Sequence, residues 1–202
     1  MGMSNYTDMK ATISRWLNRE NFPVLEAEVD LFMDMAQRRI FRDCDLEQML
    51  QTAAFDTTTL TVPADYLRTQ TMTILQGNDR FEVKGASAKK VRQMQSLTER
   101  PRYFTVRGGV FVLGPLPDST YSIELDYYGS LSLLSGAVAT NWLVINVPEL
   151  ILFSALLEAS VFLKDDQRAQ VWNGRYDEVK TSLMASEERK AFEGGSLQVT
   201  AA

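Results

Sequence analysis

Apolar positions along the chain change their spacing twice: helical at first, alternating in the middle, helical again towards the end. Met9, Ile13, Trp16 and Leu17 stand at i, i+4, i+7 and i+8, which predicts a helix over residues 6–18 with those four on one face. Asn18 to Asn21 reads as a break, and Pro23 suits the first turn of a second helix. Leu25, Val29, Phe32, Ala36 and Ile40 then repeat at helical spacing to about residue 44. Glu26, Asp30, Asp34 and Arg38 mark the wet side, with Asp34 and Arg38 spaced to pair.

Near residue 52 the pattern shortens to that of strands. The β-branched run Thr57 to Val62 predicts one strand. Arg68 to Leu75 and Arg80 to Val83 flank the turn residues Gly77-Asn78-Asp79 and predict a hairpin. Tyr103 to Arg107 and Val110 to Leu113 predict a second hairpin around Gly108-Gly109. Between them, Ser87 is expected to cap a short helix to about Leu97, with Val91 and Met94 inward and Pro101 stopping it. In Tyr121 to Tyr128 the residues Ser122, Glu124 and Asp126 alternate with Tyr121, Ile123, Leu125 and Tyr127, a strand with one face buried and one solvated.

Leu131 to Val144 reads as a loop, after which Asn146 is expected to cap a helix that has Pro148 in its first turn. Residues 149–163 are apolar almost all round, as in a central, enclosed helix. Asp165 and Asp166 break it and start a last helix, where Ala169, Trp172, Tyr176, Val179 and Leu183 form a heptad-like seam. Gly174 in that helix costs about 1 kcal/mol against alanine and is read as allowing close approach of a neighbour. Residues beyond Glu193 show no periodicity and read as a flexible tail.

The whole is an α+β chain: a four-helix bundle-like domain, a β-rich insertion of hairpins between helices two and three, and an extended C-terminal tail. Residues 1–51 would supply the N-terminal helices, 52–130 the β-rich domain, 131–192 the loop and C-terminal helices, and 193–202 the tail.

Charge sharpens this division. Residues 1–51 carry six basic and nine acidic side chains, 52–130 nine and eight, and 131–202 six and nine, so the helical parts together have a net charge of −6. An acidic chain does not read as a duplex-DNA binder, which needs clustered Lys and Arg. A small basic cluster does occur at Lys84, Lys89, Lys90 and Arg92. It reads either as contact with an acidic partner or passing DNA, or as a solvated helix face.

Catalytic chemistry finds little footing. The chain of 202 residues has no histidine, which removes Ser-His and Cys-His pairs and nearly all zinc sites. Its one cysteine, Cys44, excludes an intrachain disulfide and a thiolate cage, and reads as a small buried residue before a reactive thiol. No Walker loop or GxGxxG is present, so no cofactor or metal is expected. A hydrolase built on paired carboxylates stays formally open. The longest apolar stretch, Leu150 to Leu163, is interrupted and too short to span a bilayer, and no signal peptide is visible, so a soluble protein made in the cytoplasm is expected. Glu158 stands alone in the apolar helix. A lone carboxylate there needs a partner, either Arg38, Arg39 or Arg42 of the same chain or a basic residue of an adjacent subunit. Trp142, Tyr127 and Tyr128 are candidate interface anchors, or seals of the chain's own core.

Several segments, in order, resemble the head-to-tail adaptor (connector) proteins of tailed bacteriophages, of the podovirus portal-adaptor type. They are Tyr6 to Lys10 with Trp16 to Arg19; Ala36 to Ile40 with Arg42-Asp43; Val110 to Asp118 leading to Tyr127-Tyr128; Thr140-Asn141-Trp142-Leu143; Leu156-Leu157-Glu158-Ala159; and Phe162 to Asp166. The resemblance implies a structural virion protein at the head–tail interface: a homo-dodecameric adaptor ring between portal and tail, its helices building the ring and its β part facing the tail. It implies the portal protein, the tail nozzle and tail fibre proteins as partners, with genomic DNA passing through the channel without specific binding, and no membrane. Gly194, Gly195, Ser196, Leu197, Gln198 and Val199 would reach the portal. Glu158, Trp142, Trp172, Tyr176 and Tyr128 would lie at subunit interfaces. A tail-terminator or nozzle subunit is the alternative virion role and would be mainly β.

Overall fold

The computed structural model describes residues 2–17 and 23–193. The expected break at Asn18 to Asn21, and the tail residues Gly194, Gly195, Ser196, Leu197, Gln198 and Val199, lie outside the described residues. The protein is of the α+β class, and its described residues form two units, one drawn from residues 1–48 and 131–202 and the other from residues 49–130.

In the helical unit, helix α1 (Tyr6–Trp16) begins at Asn5, whose side chain accepts the Asp8 N–H. Helix α2 (Pro23–Asp43) follows. After the strands of the second unit come a short helix α4 (Trp142–Asn146), helix α5 (Pro148–Phe162) and the long α6 (Asp166–Glu193). α5 is the hub and packs against α1, α2, α4 and α6. Its all-round apolar sequence has this cause: Leu150, Ile151, Leu152, Ala155, Leu156 and Ala159 are all enclosed, against Met9, Ile13, Val29, Phe32, Met33, Ala36 and Ile40. Cys44 is fully buried. Asp165 accepts the Arg168 N–H at 3.1 Å and so starts α6.

The expected loop after residue 130 is held by side chains. Gln37, fully buried on α2, accepts from the Leu134 N–H at 2.6 Å and from the Asn141 amide at 3.0 Å, and donates to the carbonyls of Met33 and Leu134. Asn141 also caps α4 by accepting the Val144 N–H at 3.0 Å. The cap therefore falls at Asn141. Asn146 does not cap α5; its amide donates to the Trp142 carbonyl, and α5 starts from Val147 with Pro148 supplying the preset first turn.

In the second unit, β1 (Leu50–Asp56), β2 (Tyr66–Gln76), β3 (Asp79–Glu82) and β7 (Ser122–Gly129) form an antiparallel sheet in the order β1-β7-β2-β3. A second sheet holds β4 (Lys84–Gly85), β5 (Tyr103–Arg107) and β6 (Val110–Gly114), with β4–β5 parallel and β5–β6 antiparallel. Helix α3 (Ala88–Met94) starts at Ser87, whose hydroxyl accepts the Lys90 N–H, and packs on β5 and β6. Gly114 makes that packing possible, because a Cβ there would stand 2.6 Å from the Val91 carbonyl oxygen. The core is Met72, Ile74, Phe104, Phe111, Leu113, Ile123, Leu125 and Tyr127.

The strand expected at Thr57 to Val62 is displaced: the pairing strand is the preceding Leu50–Asp56, with Phe55 opposite Ile123. Asp56 ends it. Its carboxylate accepts the backbone N–H of Thr58 and Thr59 and the Thr58 hydroxyl, a local turn that outcompetes the ladder despite the β-branched run.

Candidate assembly surface

Along the helical unit, α1, α5 and α6 leave an open groove of about 860 Å3. Three aromatic side chains form its floor: Trp16 of α1, Phe153 of α5 and Trp172 of α6. Phe153 and Trp172 stack at 6.1 Å with an interplanar angle of 11°, and Trp16 leans on both at 6.1 and 5.7 Å. Val171, Val179 and Leu183 extend the apolar lining, and Glu149, Arg175, Glu178, Ser182 and Ser186 give it a polar rim. Trp16 remains 45% exposed and Val171 55%, so this apolar strip is not covered by the described residues. The Trp172 indole N–H is buried without an acceptor. A buried donor left unpaired costs on the order of 1–3 kcal/mol, so an acceptor brought in by another molecule would recover it.

The seam expected on α6 divides in two. Trp172 lies in the groove with Val179 and Leu183. Tyr176 turns into its own unit, 2% exposed, and its hydroxyl donates to Asp43 at 2.9 Å. Burial pushes its phenol pKa far up, and the Asp43 carboxylate adds to this. Glu158 pairs with Arg39 at 2.5 Å, half-enclosed, so its partner is in the same chain. Trp142 is half-buried at the start of α4. Tyr128 belongs to the other unit, at the end of β7, with the Arg68 guanidinium 4.7 Å above its ring. Of the five expected interface residues, one therefore lies in the groove, three elsewhere in the helical unit and one on the strand unit. Gly174 is exposed on α6, and a Cβ there would meet nothing within 4 Å.

Sequence reasoning missed Trp16 and Phe153 as surface residues. Spacing put Trp16 on the inner face of α1, yet Met9, Ile13 and Leu17 fill that face and leave Trp16 at its margin. Phe153 could not be singled out, because a helix apolar on every side gives no facial signal.

The arrangement offers surface for association. Among the described residues no group of three His, Cys, Asp or Glu side chains could hold a metal ion, and no helix is long and apolar enough to cross a membrane.

Comparison with known proteins agrees in kind. No curated protein matches the chain. A family profile described as "SU10 adaptor protein" matches residues 4–199, nearly the full length and both units. The chain thus belongs to the SU10 adaptor protein family, a family of phage head–tail adaptors, and is a structural component of a virion that interacts with other head or tail proteins.

Proposed function

We propose that the protein is a ring subunit seated between portal and tail, with the helical unit building the ring and the groove of Trp16, Phe153 and Trp172 receiving a neighbouring copy. The observation that carries this reading is the uncovered aromatic groove on a member of an adaptor family. Contiguous exposed apolar surface of this kind marks association sites, and aromatic anchors dominate their energetics. Closure into a ring needs a second, different surface on the same subunit, since a heterologous contact repeats around an axis. Leu31 and Met35 on α2, 51% and 41% exposed, and Val161 and Phe162 at the end of α5, 63% and 50% exposed, supply apolar candidates for it.

In this reading Trp172 is the central interface residue, and Glu158, Trp142 and Tyr128 are candidates for its surroundings. Tyr176 anchors α6 through Asp43 and acts on the interface through that helix. Residues 194–199 reach the portal, the strand unit turns to the nozzle and fibres, and DNA passes a lumen whose negative helical unit does not hold phosphates. Six helices among the described residues argue against a mainly β tail-terminator or nozzle subunit. Mixing the purified protein with portal rings and following the mass tests the reading. A discrete multi-copy complex is expected; failure to form one at any salt concentration removes it.

A further inference from the structure

The strand unit carries a charge anomaly that the ring reading does not use. Residues 80–107 contain eight basic and two acidic side chains, in a chain whose net charge is −5. Four of these cations are engaged. Arg80 pairs with Glu124 at 2.6 Å and Arg102 with Glu99, while Lys90 sits 3.9 Å above the Tyr103 ring and Arg100 3.4 Å above Phe81. Lys84, Lys89, Arg92 and Arg107 have no carboxylate partner among the described residues. Three of those four converge. Lys89 and Arg92, one turn apart on α3, and Arg107 at the end of β5 line a hollow of about 470 Å3 with Ala88 and Gln93, and no carboxylate lines it. Like charges gathered around one hollow repel one another, so an anion seated there would relieve the repulsion.

Two features choose the kind of anion. The nearby aromatic rings of Tyr103 and Phe81 are already covered by Lys90 and Arg100, so they form no stacking platform for single-stranded bases. The rim is also apolar. Val110 is the cross-strand partner of Arg107, so both point to the same face of the sheet, and it is 42% exposed. Val112, two residues along β6 and half-buried, shares that face. A DNA backbone offers nothing to these side chains, and protein–DNA interfaces are markedly polar. A protein surface with carboxylates set among apolar groups satisfies both.

We propose that the hollow of Lys89, Arg92 and Arg107, with Val110 at its edge, is a docking site for an acidic, partly apolar segment of another protein. The site goes beyond the ring reading and stands or falls apart from it.

Fluorescence anisotropy of the full chain tests it with three labelled probes: a glutamate-and-leucine peptide, the same peptide with serine in place of leucine, and a short DNA duplex. The leucine peptide is expected to bind tightest, and to weaken as salt rises. Changing Lys89→Glu, Arg92→Glu and Arg107→Glu together should weaken it about tenfold or more, roughly what three exposed ion pairs supply together. A charge-matched control with Arg38→Glu, Arg168→Glu and Arg189→Glu should leave binding within about twofold. The triple Gln variant, with an unchanged melting temperature, guards against misfolding and should weaken binding in the same direction. Duplex binding as tight as the leucine peptide and dependent on the same cations would overturn the proposal in favour of nucleic acid. Equal binding of the two peptides, or equal loss in the control, would also overturn it. Attachment to portal rings, measured on the same variants, keeps the ring reading's outcome separate.

Discussion

Gln37 shows how a single side chain can position a whole segment. Of the four hydrogen bonds made by one buried amide, three tie the stretch before α4 to α2 and the fourth returns to the Met33 carbonyl of α2 itself. Gln37→Leu keeps the volume and removes every one of these bonds, leaving the Leu134 N–H without its partner. It should lower stability by about 1–3 kcal/mol, read as a shift in the urea midpoint. Nothing in the spacing of apolar residues marks Gln37, since it sits on the helix face where apolar residues are expected. Glu158 was legible as a carboxylate in need of a partner, and the structure supplies Arg39. Glu158→Gln should cost about 1–3 kcal/mol by leaving that guanidinium half-enclosed and unpaired.

Glu187 adds a pH dependence. Burial pushes its carboxyl up, but the Lys190 ammonium and the Glu47 N–H outweigh burial and hold it below the ordinary value. A carboxylate with a lowered folded pKa contributes stability that is present above its unfolded value of about 4.3 and is lost as pH falls through the folded value. The difference in melting temperature between wild type and Glu187→Gln should therefore be full at neutral pH and shrink below about pH 4.

At the scale of elements, the sequence was most readable where turn chemistry and alternation agreed. The β5–β6 hairpin around Gly108-Gly109, both with positive φ, and the alternation of β7 followed directly from residue order. β1 was misread because β-branched residues after Asp56 looked more strand-like than Leu50 to Asp56 itself; propensity lost to a local side-chain turn and to pairing with β7. The cap of α5 was misplaced for a similar reason, since Asn146 has the right chemistry but Asn141 has the right position. The helix seam on α6 was visible as a pattern, but which of its residues faces out depends on α1 and α5, which spacing on one helix cannot report. Gly174→Ala isolates that helix. With nothing near the added Cβ, the change should stabilise the free subunit by about 1 kcal/mol. If a neighbouring copy packs closely there, the same change weakens assembly, so a rise in melting temperature together with weaker assembly would locate the contact.

For the whole molecule, composition excluded more than it assigned. The absence of histidine narrowed the chemistry, and the order of weak motifs along the chain pointed to the adaptor class that the family match then established. The groove itself was invisible, because it joins α1 at one end of the chain to α5 and α6 near the other. Truncation after Glu193 tests the tail's share of attachment. The truncated chain should fold as before and bind portal rings more weakly, since a tethered segment adds through its effective concentration. Unchanged attachment would assign those residues another role.

The central claim is that the Trp16–Phe153–Trp172 groove is the surface through which copies assemble. Val171→Asp tests it most directly, since Val171 lines the groove, is 55% exposed and so can carry a charge without unfolding the subunit. The measurement is the mass of the complex formed on portal rings by wild type and by this variant, each first shown to have the same melting temperature. The account predicts a discrete multi-copy complex for wild type and its loss for Val171→Asp. A full complex formed by the variant at the same concentrations would contradict it.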